Sequence, residues 1–522
     1  MRAHDLTRRC TAVAVLVLAL LAAGCAGDDD GAAGSSTTEV QQVSFDPRMP
    51  DEVAPPPAEG DGITLPQPAP KLPEDYVLEE YLVGGTATSF DAVDTPEDGR
   101  WIAEPGEEAE YRTRVVVRRP ADAADFSGTV VVEWFNVSAI EAAPDWAFVS
   151  EELIREGHAY VGVSAQAQGV EGGETLLDVD VDDQQAAEAD VDTDRSGLKN
   201  ADPERYGTLS HPGDAYSLDI FSQVGRVLKR QPGDLLGDLA PEHVIAAGES
   251  QSAGFMTTLI NAVHPLAPTF DGFLVHSRGS AAPAVDGDYV STREARAEGK
   301  EVPTVLIRTD LDVPVMVFET ETDLTLLGYS AARQDDTDLL RTWEVAGTAH
   351  ADAQTLRAVL GGPRDPGLGS LLGCENINTG PQKEVLQAAV HHLVAWVGGG
   401  DPPPEGPRLE LDEGEEVAIA RDERGNALGG VRNPLVDAPT AALSGDPGEG
   451  TTAEDGRTDV CVLFGTTTPF DQATLVELYG DADGYLEQFR AAAADAVEKG
   501  HLLQVDADAL IAEAEANRSL FP

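Results

Sequence analysis

An apolar run, His243-Val244-Ile245-Ala246-Ala247, leads into Gly248-Glu249-Ser250-Gln251-Ser252-Ala253-Gly254 and then into helix-like sequence. A strand that turns sharply at a small-x-Ser-x-small motif and enters a helix is the setting of a nucleophile elbow. The tight turn strains the serine backbone and exposes its hydroxyl. An activated serine in that position performs acyl transfer. The motif carries Ser252 where a second glycine is usual. Ser250-x-Ser252-x-Gly254 also satisfies the small-residue rule for Ser252, but the strand runs directly into Gly248. Ser250 therefore falls at the apex and Ser252 in the first helical turn.

A serine nucleophile needs a base to take its proton and an acid to orient and charge-stabilise that base. Both types follow, each after a strand-like run. Val313-Pro314-Val315-Met316-Val317-Phe318 precedes Glu319-Thr320-Glu321-Thr322-Asp323. Asp323 is the favoured acid; Glu321, two residues earlier with a longer side chain, is the alternative. Thr342-Trp343-Glu344-Val345-Ala346 then precedes Gly347-Thr348-Ala349-His350, a small flexible turn ending in an isolated histidine, the candidate base. His276 also ends a strand but precedes the acid and reads as structural or pocket-lining; His391 and His392 lie inside a helix and read as core or surface residues. An oxyanion hole combines the N–H after the nucleophile, here Gln251, with one from the loop after an earlier strand. Phe135 and Asn136 are the expected second donors. Asn136-Val137-Ser138 also matches a glycosylation sequon.

These residues need a scaffold of alternating strands and helices. Strands are expected at 111–118, 129–135, 158–164, 243–247, 271–277, 313–318 and 342–346. Helices are expected at 146–156, 214–230, 252–263 and 383–397. Val- and Ile-rich strands alternating with helices predict an α/β fold whose mostly parallel sheet is covered on both faces. The core should span 76–400, interrupted by an acidic insertion at 168–205. Ten acids and no basic residue lie between Glu171 and Asp194. Asp178, Asp180 and Asp182 alternate as in a calcium loop, but no glycine at the sixth position or glutamate at the twelfth completes one. Residues 401–522 form a C-terminal extension packed on the core, with a turn near Gly425-Asn426 and helices near 484–499 and 506–515.

The net charge is −58, from 93 acidic against 35 basic residues, only six of them Lys. Such a surface repels nucleic acid and anionic membranes and suits a solubilising role outside the cytoplasm. Arg2, Arg8 and Arg9 precede an apolar stretch, Ala12 to Ala23, that ends in Leu21-Ala22-Ala23-Gly24-Cys25. This describes an export signal, too short to span a bilayer. Cys25 after Ala-Gly resembles a lipobox, so residues 1–25 read as a lipoprotein signal with Cys25 lipidated. The protein would be exported and anchored to the outer face of the cell membrane, or secreted, touching the membrane only through that anchor. Residues 26–75, rich in Asp, Glu, Pro, Gly, Ser and Thr, read as a disordered tether. Cys374 and Cys461 remain as an even pair in an oxidising compartment, and a disulfide is expected between them.

Beyond these elements, the sequence resembles a little-characterised group of secreted α/β-hydrolase domain proteins. The likeness runs from about Tyr76 to the C-terminus through Gly85-Thr86-Ala87, Glu133-Trp134-Phe135-Asn136-Val137, Arg205-Tyr206-Gly207 and His211-Pro212-Gly213-Asp214. It continues in Gly248-Glu249-Ser250-Gln251-Ser252, Glu319-Thr320-Glu321-Thr322-Asp323, Asn376-Ile377-Asn378, Gly425-Asn426-Ala427-Leu428-Gly429-Gly430-Val431-Arg432 and Cys461-Val462-Leu463-Phe464-Gly465. The resemblance implies an α/β-hydrolase fold and esterase-type chemistry on a small-molecule ester, without metal or cofactor. HExxH, a P-loop and a dinucleotide fingerprint are absent from the sequence. The expectation is a secreted Ser-His-Asp carboxylic-ester hydrolase. Two rivals are an amidase or peptidase using the same three residues and a catalytically inactive surface-binding lipoprotein.

Overall fold

Runs of β-branched residues that are apolar on both sides become the centre of a nine-stranded sheet in the computed structural model. The structure describes residues 45–60, 62–64, 72–173, 197–288, 302–360, 364–414, 417–447 and 460–522. The signal sequence, Cys25 and Asp178 to Asp194 of the acidic insertion lie outside these residues. In chain order the strands are β1 (Glu52–Ala54), β2 (Tyr76–Asp94), β3 (Ile102–Pro120), β4 (Thr129–Trp134), β5 (Ala159–Val163) and β6 (His243–Glu249). Then follow β7 (Gly272–His276), β8 (Val315–Thr320) and β9 (Leu340–Val345). The spatial order is β1-β2-β3-β5-β4-β6-β7-β8-β9. β5, β4, β6, β7, β8 and β9 run parallel; β1, β2 and β3 form an antiparallel edge joined through β3 and β5. All seven expected strands are present.

Strand side chains alternate between the two faces. Val130, Val132, Val244 and Ala246 face one core with α2 (Ser217–Arg230) and α3 (Gln251–Thr258, continued by a π turn over Leu259–Val263). Val131, Ile245 and Ala247 face the other, with α1 (Pro144–Arg155) and α5 (Gln382–Val397). Burial on both faces explains why these strands read as continuous apolar runs rather than alternating ones.

β2 is a strand that the sequence pattern does not announce. It pairs along β3 as a long hairpin, and its residues 91–94 are exposed, so no apolar periodicity marks its far end. The tether expected over 26–75 needs a correction for its described part. β1 adds to the sheet edge, and Phe45, Met49 and Val53 pack against the main core. Phe45 meets Phe90 edge to face at 5.4 Å. A few apolar anchors suffice to order a segment whose bulk composition is that of a linker.

The described residues form one compact unit. Within it, α6 (Ala482–Glu498) and α7 (Gln504–Ala516) enclose a small separate cluster around Tyr485, Leu486, Phe489 and Leu510. Residues 409–431 instead join the main cores through Leu409, Ile419, Ala427 and Val431. The turn expected near Gly425-Asn426 is present, closed by Gly425 N donating to Asp422 O. Among the described residues, no helix is long and apolar enough to cross a membrane.

Candidate active site

β6 ends at Glu249 and α3 begins at Gln251, leaving Ser250 alone to make the turn. Its φ is 58° and ψ −119°. A non-glycine residue in that region costs on the order of 1–3 kcal/mol and persists only where surroundings impose it. Here they do: Ser250 N donates to His276 O on the neighbouring strand, and Ser250 O accepts from Gly254 N. Gly248 is required, since a Cβ there would lie 2.8 Å from Ser252 O. Ser252, at the position where a second glycine is usual, is fully buried in the first turn of α3.

Ser250 Oγ lies 2.9 Å from His350 Nε2, and His350 Nδ1 lies 2.7 Å from Asp323 Oδ1. Asp323 is the third residue of α4 (Glu321–Thr325), where Thr320 and Asp323 form a capping box. Thr320 N and Oγ1 both donate to Asp323 Oδ2, at 2.6 and 2.7 Å, leaving Oδ1 for the imidazole. Burial alone would lower the His350 pKa; the Asp323 hydrogen bond and charge, with Glu249, more than offset it and the net shift is upward. A hydroxyl, an imidazole and a carboxylate in this series can pass a proton from the hydroxyl to the ring while the carboxylate holds the ring's other N–H.

Glu321 does not reach His350. Its carboxylate accepts from Gly347 N at 2.6 Å, Gly445 N at 3.0 Å and Arg421 Nη2 at 2.8 Å. Burial raises its pKa against the opposing Arg421 charge.

The expected oxyanion donors are only partly available. Gln251 N opens α3, and the first N–H groups of a helix have no acceptor within it. Phe135 N, however, donates to Val163 O at 3.1 Å, and Asn136 N to Ala142 O at 2.9 Å. β4 stays bonded to its neighbour one residue past its end, and the Asn136–Ala142 bridge then closes the loop. Phe135 is a packing residue whose ring fills the space left by Gly162. Val137 N is the next amide along this loop. The Asn136 side chain is engaged elsewhere. Its Nδ2 donates to Glu249 O and to Glu249 Oε2, each at 3.1 Å. Glu249 Oε1 in turn lies 3.4 Å from His350 Nε2. No motif marks this contact in the sequence. The one signal for it is that β4 and β6 are parallel neighbours, whose C-terminal ends must meet.

His276, His391 and His392 have structural partners. His276 is fully buried between Asp145 Oδ1 at 2.9 Å and Gln382 Nε2 at 3.0 Å, and burial lowers its pKa to about 4. His391 meets Glu152, and His392 meets Gly500 O. Among the described residues, Glu152, Glu156 and His391 are the one group that could bring three metal-ligating atoms within 4.8 Å; Arg155 already pairs with Glu152 there. A cleft of about 610 Å³ between Phe45, Met49, Thr88 and Glu108 includes none of the Ser250 group.

The C-terminal segment holds the His350 turn. Asn378 Nδ2 donates to Gly347 O and Ser444 O, Ala351 N to Leu463 O, and Asn378 N to Phe464 O. Cys374 and Cys461 are joined by a disulfide, with Cα atoms 5.3 Å apart. A disulfide typically contributes about 2–4 kcal/mol. The double variant Cys374→Ser/Cys461→Ser is therefore expected to lower the melting temperature. Because Leu463 and Phe464 carry the anchor, activity should fall several degrees below that melting point; coincident loss of both would show that the disulfide serves the whole unit alone.

The model of a family described as alpha/beta hydrolase domain matches residues 53–512. A search of curated proteins finds no match. Among solved structures, a glucuronoyl esterase from Solibacter usitatus is 10% identical, covering 53% of this chain and 70% of that one, with TM-score 0.27. A thermostable esterase from Pseudomonas putida is 10% identical over 55% of this chain and 81% of that one, also at TM-score 0.27. A fungal esterase from Rhizomucor miehei is 9% identical over 55% and 82%, at TM-score 0.25.

Proposed function

We propose that this protein, which belongs to the alpha/beta hydrolase domain family, is a serine hydrolase that cleaves carboxylic esters through an acyl-enzyme. The observation that carries the reading is the series Ser250 Oγ–His350 Nε2–Asp323 Oδ1, assembled on a strained elbow. In the proposed reaction His350 Nε2 takes the Ser250 proton as Oγ attacks the ester carbonyl. The oxyanion receives Gln251 N–H and, from the loop after β4, Val137 N–H. The imidazolium then gives its proton to the departing alkoxide, releasing an alcohol and leaving an acyl-serine. Water attacks that ester with its proton passing to His350; the acid departs and the proton returns to Ser250 Oγ.

The setting is proposed on the sequence alone: export through residues 1–25 and anchoring by a lipidated Cys25, with the enzyme held outside the cytoplasm. Intact-mass analysis of protein purified from membranes tests the lipid.

The test of function pairs a fluorophosphonate probe with a panel of p-nitrophenyl esters of increasing acyl length and matched peptide substrates. Labelling at Ser250 with turnover of esters is the expected result. Turnover confined to peptides would move the assignment to an amidase. Absence of both labelling and turnover would leave a binding protein on a hydrolase fold.

A further inference from the structure

Glu249 is the residue before Ser250, and its carboxylate does not point to solvent. It is 7% exposed. Asn136 Nδ2 holds Oε2, which leaves Oε1 facing His350 Nε2 at 3.4 Å. The same nitrogen meets Ser250 Oγ at 2.9 Å. Asn136 is itself fixed, since its Oδ1 accepts from Ser138 N at 2.7 Å and its Nδ2 also binds Glu249 O. We propose that Glu249 is a positioning residue that flanks His350 from the side opposite Asp323, stabilising the imidazolium each time the ring takes a proton. Its catalytic meaning rests on the Ser250–His350 reading; the pairing of Glu249 with His350 does not.

The distances decide what kind of interaction this is. At 3.4 Å the contact is longer than an ordinary N–H···O hydrogen bond. A shorter one would hold the Nε2 proton and keep it from the leaving group. At this distance the carboxylate acts through its charge, in a buried site where screening is weak. The imidazolium is then favoured while its proton stays free for the departing oxygen.

Every element packed against Glu249 contributes to its charge state. Burial is the largest influence and raises its pKa to about 7; His350 after β9, and His276 on β7 when protonated, oppose that rise, whereas Asp145 on α1 and Asp323 after β8 add to it. Glu249 in turn adds to the upward shift of His350. The ring must be neutral to accept the serine proton, so a raised His350 pKa places the acid limb of the pH profile above that of a free imidazole. Removing the Glu249 charge must move that limb down.

The test is Glu249→Gln, which keeps an acceptor for Asn136, with Glu249→Asp beside it. Fluorophosphonate labelling rate and kcat/KM for a p-nitrophenyl ester are followed against pH. The Gln variant is expected to move both acid limbs down by about one on the pH scale. It should also lose about tenfold in plateau kcat, the factor by which such a change alters the protonation equilibrium, with KM within about twofold. The Asp variant, one methylene short, should fall between. A Gln variant whose acid limb overlays the wild type would overturn the proposal. An NMR titration of the His350 ring in Ser250→Ala, with and without Glu249→Gln, reads the pairing without any turnover. If Ser250 fails to label, the serine reading falls, and a lowered ring pKa would still uphold the pairing while an unchanged one would remove it.

Discussion

Ser250→Ala is expected to lose ester hydrolysis by a factor of about 10⁵–10⁶ and to lose fluorophosphonate labelling altogether. The chemical reason is that, among the described residues, Ser250 Oγ is the hydroxyl bonded to His350 Nε2, whereas Ser252 is buried inside α3. The structural reason is that alanine disturbs little else. The backbone bonds that hold the elbow, Ser250 N to His276 O and Gly254 N to Ser250 O, do not involve the side chain. Ser250→Gly should be equally inactive but melt higher than the alanine variant, because glycine adopts φ 58° without strain. Thermal melting and labelling on the three proteins check both statements. Full hydrolysis by Ser250→Ala would sink the mechanism.

Ser250, Asp323 and His350 are legible in the sequence because each follows a strand buried on both faces. Such strands leave unbroken apolar runs, and the first polar residues after them must emerge at one edge of the sheet. The choice between Asp323 and Glu321 stays open in the strand pattern, and the structure shows which local feature bears on it. Thr320-x-x-Asp323 has the spacing of a capping box, and that box ties Oδ2 to Thr320 and aims Oδ1 at the imidazole. The second oxyanion donor is not legible. Whether Phe135, Asn136 or Val137 has a free N–H depends on whether β4 stays paired for one more residue, a register that no local pattern records. The Glu249–Asn136 contact is hidden for a different reason. It joins the ends of two strands more than a hundred residues apart, and each residue alone reads as an ordinary polar loop position. β1 is obscured because its few apolar anchors are diluted by proline and acid.

Glu321 shows how the same turn serves two ends. Its neighbour Thr322 accepts from His350 N and donates to Gly445 O, while Glu321 joins Gly347 N, Gly445 N and Arg421. The C-terminal segment is thereby fastened to the loop that carries His350. This gives residues 421–446 a definite role, which is to fix where His350 sits.

The two acids should therefore fail in opposite ways. Asp323→Asn keeps an acceptor for the capping box, so stability should change by no more than about 1–2 kcal/mol. Its amide, however, offers no charge to the imidazolium and favours the wrong ring tautomer, and kcat should fall by about 10⁴. Glu321→Gln leaves His350 with Asp323 and so should cost no more than about tenfold in kcat. It also removes a fully buried charge opposite Arg421, which breaks an ion pair worth about 3–5 kcal/mol when one partner is lost. Arg421 retains Asp446 at 2.6 Å, so the loss should sit at the lower end of that range. Measured side by side, one variant should melt near the wild type and hardly turn over, and the other should turn over and melt early. If Glu321→Gln instead lost activity as deeply as Asp323→Asn while both melted together, the separate roles assigned to the two carboxylates would fall.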